Sequence, residues 1–378
     1  MLFSSLQLRS VRLPNRILIS PMSQYSAEEG MASDWHLVNI GRFAIGGAGT
    51  VMVEATAVTR DGRGTLGDLG LWSDDHVEPL ARLARFLESN GSVAAIQLQH
   101  AGSKSGKQRP WEGNLSLPEA FERGTPGAWP PRSATAEPWA PGGAPCIPLS
   151  AEELPGLARA WGDAAARAAR AGFRICEIHA AHGYLLNGFL SPHVNNRADG
   201  FGGDLAGRMR FPLMVVEAVR NAWPDNLPLF IRISATDWTE SGWSVDDSVV
   251  FARELKARGV DLVDCSSGGA MTTKVPNDLG FQVHLAQRVR EDADIATMAV
   301  GHIIDEEQAE AIIAEGRADL VAIGRQALIS PNWALHAKAR LQPDNPFEAW
   351  HPTAGWWLAR RKIGYPEGRT PESPALGL

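Results

Sequence analysis

The stretch IATMAVGHIIDEEQAEAIIAEGRADLVAIGRQAL, residues 295–328, holds two short apolar runs around one longer mixed segment. The runs 295–301 and 319–325 are rich in β-branched and small apolar residues and close on Gly301 and Gly324, which predicts strands. The segment between them, DEEQAEAIIAEGRAD, carries apolar residues at helical spacing and predicts a helix. Strand, helix, strand is the repeating unit of a parallel sheet, because parallel neighbours need a crossover.

The same alternation extends outward from this unit. Strands are predicted at 16–20 (RILIS), 50–58 (TVMVEATAV), 93–101 (VAAIQLQHA), 174–181 (RICEIHAA), 227–234 (LPLFIRIS) and 261–269 (DLVDCSSGG). Helical patterns lie between them, as in HVEPLARLARFLESNG, AEELPGLARAWGDAAARAARAG and SVDDSVVFARELKARG, several with a glycine stop after basic residues. Eight strands each followed by helix point to a (β/α)8 TIM barrel, an α/β fold, as one domain over 1–378. A doubly wound sheet is the rival, but it rarely needs so many units, and no GxGxxG follows the first strand.

Two segments interrupt the alternation. Residues 102–149 are dense in Pro, Gly and Trp and directly follow the third strand, which suggests a long capping loop over the barrel mouth. Residues 345–378 form a C-terminal extension with Trp350, Trp356 and Trp357, suited to docking on the body or on a neighbouring subunit.

The chain is 44% hydrophobic and 21% charged, enough to bury a large core. Its net charge of −7 is spread over mixed acids and bases, and no basic stripe marks a nucleic-acid partner. No apolar run reaches bilayer length, and the first twenty residues lack an apolar core of signal-peptide size. Cys146, Cys176 and Cys265 lie far apart without metal-type spacing. The expectation is a cytoplasmic protein with no membrane, nucleic-acid or metal partner.

A barrel of this kind does its chemistry at the C-terminal ends of its strands. Gly301 and Gly324 stand just past strands seven and eight, where backbone N–H groups and a following helix N-terminus can receive a phosphate and Arg325 can add a charged fork. That phosphate could belong to a sugar, to pyridoxal phosphate or to flavin mononucleotide. Arg232 interrupts an apolar strand, and a buried arginine needs an anionic partner, which a reduced flavin ring would supply. Gln97 offers a donor and an acceptor to a pyrimidine-like edge.

The fourth strand delivers EIHAAHGYLL, residues 177–186. His179 and His182 with Glu177 could be read as metal ligands, but residues three apart at a strand end do not share a helical face. Packing would explain one imidazole more readily than two followed by Tyr184, one of three tyrosines in the chain. Two imidazoles donating to one carbonyl oxygen stabilise charge developing there. A phenol, with an ordinary pKa near about 10, stays protonated and acts as an acid. A lyase using a Schiff base would need a strand-end lysine, whereas Lys104 and Lys274 fall in predicted loops. The intact histidine–tyrosine set also argues against a non-catalytic flavin carrier.

HAAHGYLLNGFLSPHVNNRADGFGGDLAGRMRF, 179–211, resembles the signature of the old yellow enzymes, flavin-dependent ene-reductases. PMSQYS, DWH, EATAV, QLQHAG, RISATDW and AIGRQAL match further parts in order, so the resemblance covers roughly 1–342. It is strongest to the bacterial branch with xenobiotic reductases and thermophilic-type enzymes. The resemblance implies an FMN-binding barrel reduced by NADPH or NADH, acting on unsaturated carbonyl compounds such as enones, enals and maleimides, or on nitro compounds. Pro21, Met22, Ser23, Ala55, Gln97 and Arg232 would line the isoalloxazine, and Gly269, Gly301, Gly324 and Arg325 would hold the phosphate. His179 and His182 would bind the substrate oxygen, and Tyr184 would protonate the α carbon, with Tyr25 as a second phenol over the substrate. Trp357 would reach a neighbour's site in a homodimer or homotetramer. An alternative keeps the flavin barrel but runs oxidative demethylation or dearomatisation in a catabolic pathway.

The chain also departs from that pattern. Ser23 stands where this branch usually has cysteine, which implies an altered flavin potential and balance of half-reactions. Phe201, Asp204 and Gly207 replace the usual Tyr, Ser and Asn, and Ser103 replaces a common basic residue.

Overall fold

A computed structural model describes residues 1–114, 129–140 and 143–360. Its centre is a closed parallel barrel of strands β3 (Ile17–Ile19), β4 (Thr50–Ala57), β5 (Val93–Gln99), β8 (Ile175–Ala180), β9 (Leu229–Ser234), β10 (Leu262–Ser266), β11 (Ala296–Ala299) and β12 (Leu320–Ile323). The ring closes where Val321, Ala322 and Ile323 of β12 pair with Ile17, Leu18 and Ile19 of β3. β4, β5, β8, β9, β10 and β12 are buried along their whole length, as expected for parallel strands covered on both faces. That double burial explains why they read as continuous apolar runs rather than alternating ones.

The crossover helices are α1 (Asp34–Ile45), α2 (Val77–Ser89), α3 (Leu154–Arg170), α5 (Leu205–Ala222), α6 (Val245–Ala257), α7 (Val283–Ala293) and α8 (Glu306–Ala314). Close helix contact is written into Gly162 of α3, where an added Cβ would stand 2.9 Å from the Ala218 carbonyl of α5. The large side chains Trp161, Trp223 and Trp243 fill the helix layer and are fully buried. None of the described helices is long and apolar enough to cross a membrane.

Three features were not visible as periodicity. An antiparallel hairpin, β1 (Leu6–Leu8) with β2 (Val11–Leu13), lies against the lower barrel end. Arg9 anchors it there, with its Nε 2.7 Å from Asp261 and its Nη1 2.6 Å from the Asp225 carbonyl, beside the starts of β9 and β10. A short helix, α4 (Leu185–Leu190), intervenes before α5. The predicted strands also overran: several stop a residue or more early, because residues past the barrel rim turn into the loops that form the site.

The segment 102–149 is partly described. Within it β6 (Arg132–Ser133) pairs with β7 (Ile147–Pro148), and Thr65 bridges to Lys107. Trp139 donates its indole N–H to the Gly269 carbonyl at 2.9 Å, which fastens this segment to the loop after β10. The part of this segment at 115–128, with residues 141 and 142, falls outside the described residues. Beyond β12 follow α9 (Arg325–Ile329), α10 (Trp333–Leu341) and α11 (Pro352–Ala359). In the C-terminal extension Trp350 stacks near His336 of α10, with ring centroids 5.7 Å apart, whereas Trp356 and Trp357 are exposed.

Candidate active site

The upper barrel end opens into a cleft of about 610 Å³. Pro21, Met22, Ser23, Ala55, Gln97, Arg232, Gly301, Gly324 and Arg325 line it together with His179, His182 and Tyr184. Residues from seven strand ends thus meet in one space, although they span more than three hundred positions of chain.

The β4–β5 register shifts between Val53 and Thr56. Such a bulge re-aims side chains, and it brings Ala55 to the cleft while Glu54 stays 2% exposed. Glu54 Oε2 accepts the Gln24 backbone N–H at 2.8 Å, so the bulge also anchors the PMSQYS loop. Burial pushes the Glu54 carboxyl up to about 7, against the opposing influence of His36.

HAAHGY makes a tight turn in which His182 adopts φ +61° and Gly183 φ +74°. Gly183 donates its N–H to Asn187 Oδ1 at 2.7 Å, which locks the turn to α4. The result places His179 Nε2 and His182 Nδ1 3.4 Å apart, with the Tyr184 ring centroid 4.7 Å from that of His179. The Ala181 N–H donates to His179 Nδ1 at 3.2 Å, so the proton of neutral His179 sits on Nε2 and faces the cleft. His182 Nε2 lies 2.7 Å from the Ser266 hydroxyl. That hydroxyl can donate or accept; where it donates, the His182 proton lies on Nδ1, also facing the cleft.

Burial, then the nearby Arg232 charge, holds both imidazoles well below the ordinary histidine range. They are neutral donors at pH 7. Burial, then the charge of Asp68, raises the Tyr184 phenol, so it stays protonated. Glu177 is no partner to the imidazoles. Its Oε1 accepts the Gln97 amide at 2.7 Å, which counts against a metal trio of Glu177, His179 and His182.

The floor is polar and tightly enclosed. Arg232 is 7% exposed, and its Nε stands 3.1 Å from Asp264 Oδ2. The angle there is poor for a hydrogen bond, and Nε has no acceptor among the described residues. Burial raises the carboxyls of Glu177 and Asp264, with Arg232 opposing in both cases. A buried guanidinium beside an amide, both lining a cleft, suits a flat ligand edge that accepts hydrogen bonds and gathers negative charge. The flavin pyrimidine edge is such a group, and the residues present fit it.

The opposite end of the cleft is the expected phosphate cradle. Gly301 has φ +110°, and a Cβ there would come 2.6 Å from the Gln282 amide, so glycine is required. Gly324 has φ −101°, and a Cβ there would meet nothing closer than 3.9 Å, so the surrounding protein atoms do not themselves demand glycine. The helix α9 after it has five residues, and its dipole is correspondingly weak. Charge at this end therefore comes chiefly from Arg325.

Three of the expected residues are not in this chain's cleft lining. Gly269 is outside the cleft lining, because its loop folds back onto the histidine turn: an added Cβ would stand 2.5 Å from His182 Cα. Tyr25 also lies outside the lining, with its ring edge-on to Trp111 at 5.6 Å. Trp357 is 66% exposed on α11, on the outer surface of this chain. Conversely, Ser266, Phe281, Gln282 and His302 line the cleft and were not singled out from sequence. Ser266 in DCSSGG and His302 in AVGHI could have been found, since each adjoins a strand end already under scrutiny. Lys104 is not in the cleft lining: its Nζ donates to the His182 carbonyl at 2.6 Å, and burial pushes its ammonium down to about 7.

The sequence matches the NADH:flavin oxidoreductase / NADH oxidase family over residues 1–344. It is 41% identical over 347 residues to an NADPH dehydrogenase of Bacillus subtilis (strain 168), covering 91% of this chain and 96% of that protein. It is likewise 41% identical over 343 residues to an NADPH dehydrogenase of Geobacillus sp. (strain WCH70), covering 90% and 94%. Among solved structures, morphinone reductase superposes with a TM-score of 0.75 at 25% identity, covering 90% of this chain and 89% of that one. A 2-naphthoyl-CoA reductase complex superposes with a TM-score of 0.81 at 23% identity, and this chain spans 53% of that longer protein. That last likeness concerns the barrel fold alone.

Proposed function

The chain belongs to the NADH:flavin oxidoreductase / NADH oxidase family, the old yellow enzymes, and from that premise we propose that it is an ene-reductase acting on activated C=C bonds. It is a flavin oxidoreductase with FMN as cofactor and NAD(P)H as reductant. Bound FMN would supply the hydride chemistry, relaying hydride from NAD(P)H to the β carbon of an unsaturated carbonyl compound or nitroalkene.

The residues of this chain supply the rest. Gln97 and Arg232 would hold the pyrimidine edge, Pro21, Met22, Ser23 and Ala55 would flank the ring, and Gly301, Gly324 and Arg325 would receive the phosphate; all line one cleft. His179 Nε2–H and His182 Nδ1–H converge on the substrate oxygen. Their nitrogens are 3.4 Å apart, so one oxygen reaches both at about 3 Å. As the β carbon gains hydride, negative charge moves to that oxygen, and two fixed neutral donors stabilise it. Tyr184 then gives its proton to the α carbon and regains one from solvent. Trp357, exposed on α11, completes a neighbouring subunit's site in a homodimer or homotetramer.

The observation that supports this reading is the pair of imidazole nitrogens 3.4 Å apart beside Tyr184, in one cleft with Arg232 and Gln97. The purified protein should be yellow, should be bleached anaerobically by NADPH or NADH, and should be reoxidised by 2-cyclohexenone or N-ethylmaleimide. A protein that takes up FMN and is reduced, but never reoxidised by any enone, enal, maleimide or nitroalkene, would overturn the ene-reductase assignment.

A further inference from the structure

Resting on the FMN reading above, we propose that His302 is a positioning residue for the cofactor's phosphate. It holds the Arg325 guanidinium over the space between Gly301 and Gly324 and so sets the preference of this chain for a phosphorylated flavin over riboflavin.

His302 is a non-glycine residue in the left-handed region, at φ +49°. Its carbonyl is tied down, accepting Gln308 Nε2–H at 3.1 Å. A conformation that disfavours most side chains is thus kept in place by its surroundings, and it turns the imidazole into the cleft.

The ring's proton is assigned by its neighbours. His302 Nδ1 is 3.1 Å from the Asn277 carbonyl, which can only accept, so Nδ1 carries the hydrogen. Nε2 then presents a lone pair, and Arg325 Nη2 donates to it at 3.0 Å. The Phe281 ring packs edge-on against the imidazole at 5.5 Å. One of the five guanidinium N–H groups is thereby used to hold Arg325, and the others stay available for phosphate oxygens.

The need for such a partner is entropic. Arg325 is exposed at the start of a five-residue helix, so neither packing nor a long helix fixes its side chain. A flexible arginine gives up rotamer freedom when it grips a phosphate, and a contact that already selects the rotamer removes part of that loss. Riboflavin has no phosphate and gains nothing from the arrangement.

The test compares FMN with riboflavin. His302→Asn is the informative variant, because asparagine tolerates a left-handed backbone while its shorter side chain cannot reach Arg325. FMN dissociation constants come from flavin fluorescence on dilution of the full-length holoenzyme, and the same chains reconstituted with riboflavin give the second series. His302→Asn should weaken FMN about three- to tenfold, the worth of one hydrogen bond, and leave riboflavin unchanged. In an Arg325→Ala background it should have no further effect. Equal weakening of both flavins, an additive effect on top of Arg325→Ala, or unchanged FMN affinity would each overturn the proposal. If Arg325→Ala itself leaves the FMN-to-riboflavin ratio untouched, the phosphate site fails along with His302. If the unaltered chain binds neither flavin, the cofactor reading fails.

Discussion

The Ser266 hydroxyl lies 2.7 Å from His182 Nε2, on the side of the ring away from His179. When that hydroxyl donates, the last residue of β10 keeps the proton of a histidine at the end of β8 on Nδ1. Removing the hydroxyl leaves His182 free to adopt the other tautomer, which points a lone pair at the substrate oxygen. Ser266→Ala should therefore weaken binding of a phenol such as p-hydroxybenzaldehyde by about three- to tenfold. Titration of the long-wavelength charge-transfer band reads this directly, and an unchanged dissociation constant would refute the tautomer role.

Tyr184 is predicted to matter in only one half of the reaction. Tyr184→Phe should slow reoxidation by 2-cyclohexenone by about 10²- to 10⁴-fold, while reduction by NADPH stays essentially as it was. Stopped-flow absorbance of the flavin separates the two halves. Equal slowing of both would show that the residue shapes the pocket rather than supplying the proton.

Glu54 gives a pH signature. Its carboxyl titrates near about 7 when folded, well above the ordinary carboxylate value, because burial disfavours the charge. The folded state therefore keeps a proton that the unfolded chain releases. Stability from this group is fully present below the unfolded pKa of 4.5, is lost as pH rises through 7, and then levels off. The whole excursion is worth about 3 kcal/mol. Glu54→Gln keeps an acceptor for Gln24 and removes the titration. Urea unfolding should show the variant gaining on the parent between pH 5 and pH 8, and parallel pH profiles would contradict the raised carboxyl.

Trp139 ties the 102–149 segment to the loop after β10. Its ring lies under two ammonium groups, Lys104 at 4.1 Å and Lys107 at 4.6 Å, while its N–H serves Gly269. Trp139→Phe keeps an aromatic ring and deletes the donor. It should cost about 1 kcal/mol of stability and raise KM for the enone more than it lowers kcat, because the Gly269 and His182 loops lose a shared brace. Denaturant unfolding with steady-state kinetics checks both, and a variant matching the parent in each would remove Trp139 from this role.

Amino-acid order alone determined the barrel and which side chains its strand ends gather in one cleft. Double-sided burial makes each strand a continuous apolar run, and a barrel's rim rule converts strand ends into a residue set. Gln97, His179, His182, Arg232 and Arg325 were therefore legible before any contact was known, and all five share the cleft. Tertiary structure decided what no spacing encodes: the protons on the imidazoles, Gly269 withdrawn to the histidine turn, and Arg325 steered by His302 in place of a helix dipole. Each depends on atoms from strands distant in the chain coming within hydrogen-bond reach, as Ser266 does for His182 and Asn277 for His302. Periodicity reports which face of an element is buried; it carries no information about which neighbour a side chain will meet once the ring has closed.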